Sequence, residues 1–382
     1  MWRVIGLMSG TSLDGVDAAW IETDGRTIHR FGSRVTLPYG DTLQRALRAL
    51  IGRAPLLAAD DPEVIRLTAA LTARHRDAVA AIAEPADLIG MHGQTILHRP
   101  DQARTWQIGD AAWLADVTNL PVVHDFRAAD VEAGGQGAPL APIFHAALAA
   151  DFPPPLAVLN IGGVANVTWI GPPAIGPPGI GPPGIGPPGI GPPGTDRERR
   201  LAAMDTGPGN GPLDDWVRRR TGQAFDAEGR LAGSGRPNES VLERLMADPW
   251  FARPGPKSLD RLAFSATLAA SGLDDLSAAD GAATLAAFTA RAVAIAPLPA
   301  PPRRWLVAGG GRHNPAIMAA LRAAITAPLA PVETVGWDGD ALEAQCFGFL
   351  AARAQAGLPL SFPETTGVRA PLCGGRTVRP RV

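Results

Sequence analysis

The sequence predicts an α/β protein with two similarly built halves. Short β-prone runs alternate with longer helical patterns, and the order of three strands followed by helices occurs twice along the 382 residues. This length suits two domains, and 46% hydrophobic against 19% charged residues supplies enough apolar side chains for two cores. The same composition excludes general disorder.

The first half opens with β-prone runs in immediate succession. Segments with apolar residues three and four positions apart follow, which is the spacing of one face of a helix. The predicted elements are strands at residues 2–8, 16–21, 27–35 and 88–92, and helices at residues 42–51 and 62–83.

The second half repeats this order. Its predicted elements are strands at residues 156–161, 164–170, 201–204 and 305–308, and helices that begin near residue 211 and cover residues 314–324 and 340–355. We assign residues 1–125 plus 345–382 to domain I and residues 126–344 to domain II.

Charge, cysteine content and hydropathy exclude several classes of protein. The chain has 35 basic and 37 acidic residues, so no basic excess is available for a nucleic-acid partner. Two cysteines, Cys346 and Cys373, are too few for a disulfide framework or a four-thiolate zinc site. No apolar run approaches the roughly 18 residues of a membrane span, and the N-terminal run is too short for a signal peptide. We therefore expect a cytoplasmic protein without a membrane partner.

Residues 170–194 form a low-complexity insert. The unit Ile-Gly-Pro-Pro-Gly occurs five times, with Ala174 in place of one glycine. Proline lacks a backbone donor and glycine raises the entropic cost of ordering, so the segment cannot join a sheet. We predict a surface loop between two strands, and a partner-binding motif is the alternative.

The turn between the first two predicted strands is a candidate phosphate site. Backbone N–H groups and hydroxyls are available at four positions, Gly10, Thr11, Ser12 and Gly15. Asp14 and Asp17 can hold a hydrated Mg²⁺ beside those phosphates, because magnesium accepts one or two carboxylates and keeps several waters. A Walker A loop is excluded, since no lysine lies near this turn. The alternative is an ordinary polar turn.

A second glycine-bearing turn occupies the corresponding place in the second half. Gly162 and Gly163, within Asn160-Ile-Gly-Gly-Val-Ala-Asn166, permit close approach of a backbone to a phosphate. Two such hairpins facing each other would clamp a triphosphate from both sides. The pair predicts nucleotide binding, which one hairpin alone does not.

Two later segments add a carboxylate and a glycine run. Asp205 follows a predicted strand and precedes a helix, where α/β proteins bind ligands, so it is the candidate general base. The alternative is an N-cap of the following helix. Gly309, Gly310 and Gly311 end another strand and can form a flat floor for a planar base, the alternative being an ordinary strand-to-helix turn.

Two polar clusters have the mixed donors and acceptors of a sugar pocket. They contain His92 and Gln94 in the first, and Arg127, Asp130 and Gln136 in the second. Each is equally compatible with a satisfied polar turn.

Taken together, these segments resemble those of the bacterial anhydro-N-acetylmuramic acid kinase family, in the family's order from residue 6 to about residue 370. The segments are Gly10-Thr-Ser-Leu-Asp-Gly-Val-Asp17, His92-Gly-Gln-Thr95, Asp125-Phe-Arg127, Ala133-Gly-Gly-Gln-Gly-Ala-Pro-Leu140, Asn160-Ile-Gly-Gly163, Asp205-Thr-Gly-Pro-Gly-Asn210 and Gly309-Gly-Gly311. The resemblance implies the actin-like ATPase fold, with two ribonuclease-H-like domains and ATP in the cleft between them.

The resemblance also implies a reaction. Such kinases cleave the 1,6-anhydro bridge of 1,6-anhydro-N-acetylmuramic acid with water and phosphorylate O6, giving N-acetylmuramic acid 6-phosphate and ADP in cell-wall recycling. A glycosidase needs a second carboxylic acid to protonate the leaving oxygen, whereas in this reaction the leaving oxygen forms a bond to the γ-phosphoryl group instead. One base, Asp205 by motif match, then suffices, with Mg²⁺ steadying the phosphoryl charge. Glu343 is a weaker candidate for a supporting carboxylate, and a solvated helical glutamate is the alternative.

The same resemblance implies one set of binding residues for ATP and another for the sugar. The ATP set is Gly10, Thr11, Ser12, Leu13, Asp14, Gly15, Val16 and Asp17 at the phosphates, with Gly162, Gly163, Gly309, Gly310 and Gly311. The sugar set is His92, Gln94, Arg127, Asp130, Gln136 and Asn210.

Two segments depart from the family pattern, and two questions stay open. The family pattern does not include the insert, and Leu259-Asp-Arg261 stands where the family has a Thr-Gly-Arg-Glu-like continuation. An ordinary actin-like-fold sugar kinase and a non-enzymatic nucleotide-dependent binding protein are the alternative functions. The sequence leaves open whether the chain forms a homodimer.

Overall fold

The computed structural model describes residues 1–10, 13–173, 199–259 and 263–381. The described strands are β1 (Trp2–Ser9), β2 (Gly15–Thr23), β3 (Ile28–Pro38), β4 (Leu88–Arg99), β5 (Arg104–Ile108), β6 (Val122–His124), β7 (Leu156–Ile161), β8 (Val164–Pro173), β9 (Arg199–Pro208), β10 (Arg304–Ala308), β11 (Leu329–Pro331) and β12 (Arg376–Val378). The described helices are α1 (Asp41–Arg53), α2 (Pro62–Ala80), α3 (Ala111–Thr118), α4 (Ala128–Glu132), α5 (Pro142–Leu148), α6 (Gly211–Thr221), α7 (Arg230–Ser234), α8 (Glu239–Met246), α9 (Ser265–Ala270), α10 (Ala278–Ala294), α11 (Pro315–Ala324), α12 (Leu342–Gln355) and α13 (Pro363–Thr366).

The chain divides into two compact units, each with its own sheet. The described residues from 1 to 151 and from 341 onward belong to unit 1, and those from 152 to 340 belong to unit 2. In unit 1 the strand order is β12-β6-β4-β1-β2-β3, with β5 paired to β4. Strands β1, β2 and β3 form an antiparallel meander, and β4 and β6 continue the sheet parallel to β1.

Unit 2 has the same sheet plan. Its order is β11-β10-β7-β8-β9, in which β7, β8 and β9 form the meander and β10 and β11 are parallel to β7. Three meander strands followed by two parallel strands, found twice, is the ribonuclease-H-like arrangement. The prediction of an α/β protein with two similarly built halves is confirmed.

Two glycines allow helix α12 to lie directly on the sheet of unit 1. A Cβ atom on Gly6 of β1 would meet the backbone oxygen of Ala344, and one on Gly90 of β4 would meet that of Phe347. Only glycine fits such close approaches between a strand and a helix. Helix α12 therefore packs directly across β1 and β4.

The boundary between the units lies later than the sequence analysis placed it. Residues 126–151, which we assigned to domain II, belong to unit 1. The physical reason is that their polar groups bond within unit 1, as when Thr366 donates to Asp130 at 2.6 Å. The return to unit 1 comes at residue 341, four positions before the expected 345.

The prediction that the insert cannot join a sheet is wrong for its first four residues, because residues 170–173 form the end of β8, where Ile170 pairs with Leu156 and Leu201. Pro173, the last residue of β8, is paired with Arg199, the first residue of β9. Residues 174–194 of the insert lie outside the described residues. Elsewhere, no helix of the described part is both long and apolar enough to cross a membrane.

Candidate active site

The first glycine-bearing turn connects β1 and β2 in unit 1, as predicted. Thr11 and Ser12 lie outside the described residues. Leu13, Gly15 and Val16 are buried, whereas Asp14 is exposed. The turn is therefore anchored by apolar side chains while a carboxylate remains at its surface.

Asp14 in this turn and Asp17 in β2 are the predicted magnesium ligands. Asp17 is partly buried, and its Oδ1 accepts a hydrogen bond from the hydroxyl of Thr36 at 2.6 Å. Burial raises the pKa of Tyr39, and the negative charges of Asp14 and Asp17 add to that rise. Within the described ranges, no group of three His, Cys, Asp or Glu side chains converges to hold a metal ion. An ion held here by Asp14 and Asp17 would complete its shell with water and phosphate oxygens, which is the usual coordination of Mg²⁺.

In unit 2, the second glycine-bearing turn bonds to the segment after Asp205. The N–H of Asn210 donates to the carbonyl of Gly162 at 2.7 Å, and the N–H of Gly209 donates to that of Gly163 at 3.1 Å. A Cβ atom on Gly209 would meet the Gly162 oxygen. Backbone hydrogen bonds and close backbone contact therefore hold the two segments together.

The run Gly309–Gly311 packs against the same turn. Gly309 has a φ of 75°, and a Cβ there would meet Asn160 Oδ1 and lie 2.6 Å from the carbonyl oxygen of Ile161. A Cβ on Gly311 would meet the Ile161 side chain, whereas Gly310 has its nearest neighbour, the Asn210 amide, at 3.6 Å. Three segments far apart in sequence therefore form one glycine-rich surface of unit 2.

Asp205 lies within β9 and not after it. The residue is 8% exposed, its N–H donates to the carbonyl of Lys257 at 2.9 Å, and its Oδ2 accepts from the N–H of Leu259 at 2.6 Å. The N-cap position of helix α6 is occupied by Asn210, without a side-chain cap. The alternative reading of Asp205 as a helix cap is wrong, because the strand continues three residues beyond Asp205 to Pro208.

Sequence reasoning missed Lys257, which supports the segment that contacts Asp205. Its Nζ donates to the carbonyls of Trp250, Phe251 and Arg253 at 3.2, 3.1 and 3.0 Å, and lies 4.0 Å from the centre of the Trp250 ring. Burial lowers the pKa of this amine. The available signal was that Lys257 is the only lysine of the chain. Asp260 and Arg261, which follow in this segment, lie outside the described residues.

His92 and Arg127 form a pair in unit 1. Arg127 Nε donates to His92 Nε2 at 2.9 Å, so the ring must carry its proton on Nδ1, which lies 2.7 Å from the Gly93 carbonyl oxygen. Burial, with a smaller contribution from the Arg127 charge, holds the pKa of His92 well below its usual value. The neutral imidazole, whose centre lies 4.4 Å from that of the Phe347 ring at a tilt of 39°, holds the guanidinium through this hydrogen bond.

Asp130 ties the second polar cluster together. The residue is 2% exposed, and its oxygens accept from the Gly137 N–H and the Thr366 hydroxyl, each at 2.6 Å. The Gln136 N–H donates to the Thr366 carbonyl at 2.6 Å, and Arg127 donates to the Gly137 carbonyl at 2.7 Å. His92 of the first polar cluster is therefore connected with the second cluster in one network, with Arg127 and Gln136 at its partly exposed margin, whereas Gln94 bonds elsewhere.

Gln94 and Glu343 differ sharply in exposure. Gln94 is fully buried, and its amide bonds to Gly10, Thr95 and Tyr39. Glu343 is exposed in the first turn of α12.

The thiol of Cys346 is affected by two charged side chains. Burial raises the pKa of this thiol, the charge of Glu343 adds to the rise, and the charge of Arg127 opposes it. The charges of Glu343 and Arg127 therefore shift the pKa of the same thiol in opposite directions.

Comparison with known proteins gives a match along almost the whole chain. The model of the family described as anhydro-N-acetylmuramic acid kinase matches residues 2–180 and 195–379. The anhydro-N-acetylmuramic acid kinase of Acidiphilium cryptum (strain JF-5) is 65% identical over 378 residues, covering 99% of this chain and 98% of the relative. That of Gluconobacter oxydans (strain 621H) is 54% identical over 379 residues, covering 98% and 99%.

Solved structures of sugar kinases are similar at a more distant level. A ligand-bound xylulose kinase from Lactobacillus acidophilus has a TM-score of 0.42 at 12% identity, covering 99% of this chain and 94% of that chain. A ROK family glucokinase from Streptomyces griseus, in complex with glucose and AMPPNP, has a TM-score of 0.37 at 14% identity, covering 92% and 99%.

Proposed function

The chain belongs to the anhydro-N-acetylmuramic acid kinase family, and on that premise we propose the reaction that it catalyses. It is an ATP-dependent kinase that hydrolyses the 1,6-anhydro bridge of 1,6-anhydro-N-acetylmuramic acid and phosphorylates O6. The products are N-acetylmuramic acid 6-phosphate and ADP, and the reaction serves cell-wall recycling in the cytoplasm. The observation that carries this conclusion is the 65% identity across 99% of the chain to a kinase of that name.

The proposal assigns the base to Asp205. Its carboxylate accepts a proton from water as the water oxygen forms a bond to the anomeric carbon of the sugar. The bond from that carbon to O6 breaks, O6 forms a bond to the γ-phosphorus, and the bond from that phosphorus to the bridging oxygen of ADP breaks. The Leu259 N–H on Oδ2 supports this role, because a charge-assisted hydrogen bond holds the carboxylate in one orientation.

The ATP contacts of the proposal follow the glycine-bearing segments. Residues 10–17 and the turn at Gly162 and Gly163 receive the phosphates, and Gly309–Gly311 flank the adenosine. The close packing of Gly309 and Gly311 against Asn160 and Ile161 supports the assignment, since side chains there would displace the turn. Mg²⁺, when bound through Asp14 and Asp17, supplies positive charge to the phosphoryl oxygens.

The sugar contacts of the proposal follow the connected polar network of unit 1. Arg127 is a permanent cation held by neutral His92, which suits it to the lactyl carboxylate of the substrate. Asp130 and Gln136 hold the loop around Gly137, and Glu343 is the supporting carboxylate. Asn210 remains a predicted sugar ligand, whereas Gln94, which was also predicted as one, is fully buried with its amide bonded to Gly10, Thr95 and Tyr39.

The direct test replaces the base. Asp205→Asn keeps the shape of the side chain and removes its basicity, so turnover of the anhydro sugar should fall by about 10²-fold or more while ATP affinity stays nearly unchanged. The matched control is Asp215→Asn, at an exposed helical carboxylate that pairs with Arg218. Activity of Asp205→Asn within a few-fold of the parent would remove Asp205 as the base.

A substrate comparison separates the proposal from the alternatives. With ATP and Mg²⁺, the parent should consume the anhydro sugar and give one ADP for each N-acetylmuramic acid 6-phosphate. Faster phosphorylation of N-acetylmuramic acid itself would indicate an ordinary sugar kinase. Nucleotide binding without turnover of either sugar would indicate a binding protein.

A further inference from the structure

Three carbonyl groups of the first glycine-bearing turn, those of Gly10, Leu13 and Asp14, accept hydrogen bonds from donors outside the turn. Gln94 Nε2 donates to the Gly10 carbonyl at 3.1 Å, and Gln44 Nε2 donates to the Leu13 carbonyl at 2.8 Å. The backbone N–H of Tyr39 donates to the carbonyl of Asp14 at 3.1 Å. These donors come from β4, α1 and the segment between β3 and α1, so three parts of unit 1 converge on one turn.

Two of these donors, Gln94 and Tyr39, belong to a buried polar network, whereas Gln44 is partly buried. The Tyr39 hydroxyl donates to Gln94 Oε1 at 3.2 Å, and the side chain of Ser9, next to the turn, lies 2.9 Å from His75 Nε2. All four residues are at most 2% exposed. Burial lowers the pKa of His75 to about 4, so the imidazole is neutral at physiological pH. A neutral network of this kind adds no charge that would compete for a cation or an anion.

Orientation of the carbonyls decides whether a turn can receive an anion. A carbonyl oxygen is the negative end of the peptide dipole, and one that points at a phosphate repels it. A carbonyl already bonded to a scaffold donor cannot rotate towards the ligand without losing that bond. Fixing these groups before binding lowers the cost of ordering the turn around the nucleotide.

We propose that Gln44 and Gln94 are positioning residues for ATP, which hold the Leu13 and Gly10 carbonyls turned away from the phosphates. The inference rests on the proposed function, in which residues 10–17 receive those phosphates. Glutamine suits the task because its amide donates without a charge. Glutamate would repel both the carbonyl and the nucleotide, and lysine would add a cation to the site.

Gln44→Met and Tyr39→Phe are the informative variants. Gln44→Met keeps the length of the side chain and removes the donor, and Tyr39→Phe removes only the hydroxyl that holds Gln94. The matched control is Gln355→Met on helix α12, which removes an amide that donates to the Thr377 hydroxyl in the same unit. Gln94→Met is the strongest perturbation but removes several buried hydrogen bonds at once.

The measurement is the dissociation constant of ADP with Mg²⁺ by titration calorimetry, beside the KM for each substrate and the urea midpoint. We expect Gln44→Met to weaken ADP about tenfold, or about 1.4 kcal/mol, and to raise the KM for ATP equally. Tyr39→Phe should show a smaller shift in the same direction. The KM for the sugar, and kcat at saturating ATP, should stay within about twofold, a split that general destabilisation would not produce.

Equal ADP affinities of Gln44→Met, Tyr39→Phe and Gln355→Met, with all three folded, would overturn the inference. A fall in the urea midpoint of Gln44→Met with parental KM values would also overturn it, because the role would then be structural. Failure of the proposed function has a different signature, namely a parent protein that does not bind ADP.

Discussion

Gly309→Ala tests whether the glycine-rich surface of unit 2 needs close backbone contact. Gly309 has a φ of 75°, and an added Cβ would meet Asn160 Oδ1 and lie 2.6 Å from the Ile161 carbonyl oxygen. Gly222, at the end of helix α6, also has a φ of 75°, but a Cβ there meets nothing within 4 Å. Gly222→Ala is therefore a control with the same backbone strain and without the overlap.

The magnitudes follow from the two contributions. An alanine in the left-handed region costs about 1–2 kcal/mol of the free energy of unfolding, and this cost is common to both variants. Overlap with packed atoms adds about 1–3 kcal/mol at position 309 alone. Gly309→Ala should therefore lose about 2–5 kcal/mol in all, against about 1–2 kcal/mol for Gly222→Ala.

Urea unfolding followed by tryptophan fluorescence measures the stability of both variants, and calorimetry with ADP measures nucleotide affinity. Gly309→Ala should weaken ADP at least tenfold, because the turn of Asn160 and Ile161 must shift, whereas Gly222→Ala should bind ADP as the parent does. Equal losses of stability in the two variants, or parental ADP affinity of Gly309→Ala, would refute the reasoning.

Two further predictions concern pH and the insert. Burial lowers the pKa of His75 and His145 to about 4, so the unfolded chain binds more protons than the folded one between about pH 6.5 and 4. The free energy of unfolding should fall on acidification through that window by up to about 1.4 kcal/mol per pH unit for each histidine. His145→Leu should therefore reduce the pH dependence of the free energy of unfolding, measured in urea, by the contribution of one histidine. Deletion of residues 181–194, which the family match omits, should leave kcat, both KM values and the melting temperature nearly unchanged. A large loss of folded protein in that variant would assign the insert a structural role.

The sequence was sufficient for the three meander strands of each unit and for the parallel strand beside them, β4 or β10, but not for the short strands β5, β6, β11 and β12. The alternating and continuous apolar runs mark the central strands, because a strand buried on one or both faces leaves that pattern. Strand β9 was predicted only at residues 201–204, yet it continues to Pro208, because Asp205 pairs with Asn166 across the sheet. Pairing with a partner strand extended β9 beyond its apolar run.

The candidate residues were found by type and spacing, but their roles depend on contacts that spacing does not encode. Nothing in the sequence shows that His92 accepts from Arg127 or that Lys257 donates to three carbonyls, since those partners lie elsewhere in the chain. Likewise, the residue type of Gln94 suggests a polar ligand, whereas in the structure Gln94 is fully buried and bonded to the carbonyl of Gly10. Burial and hydrogen-bond partners are tertiary properties, so only the fold provides them.

The cross-strand pair of Pro173 and Arg199 bears on how the length of this chain can change. Because the two residues face each other across neighbouring strands, any number of five-residue units can be added or removed between them without shifting the register of the sheet. Tandem repeats in a gene gain and lose copies readily, and here such changes would fall at a permissive position. The same position offers a place to introduce a fluorescent reporter or an affinity tag in the interior of the chain.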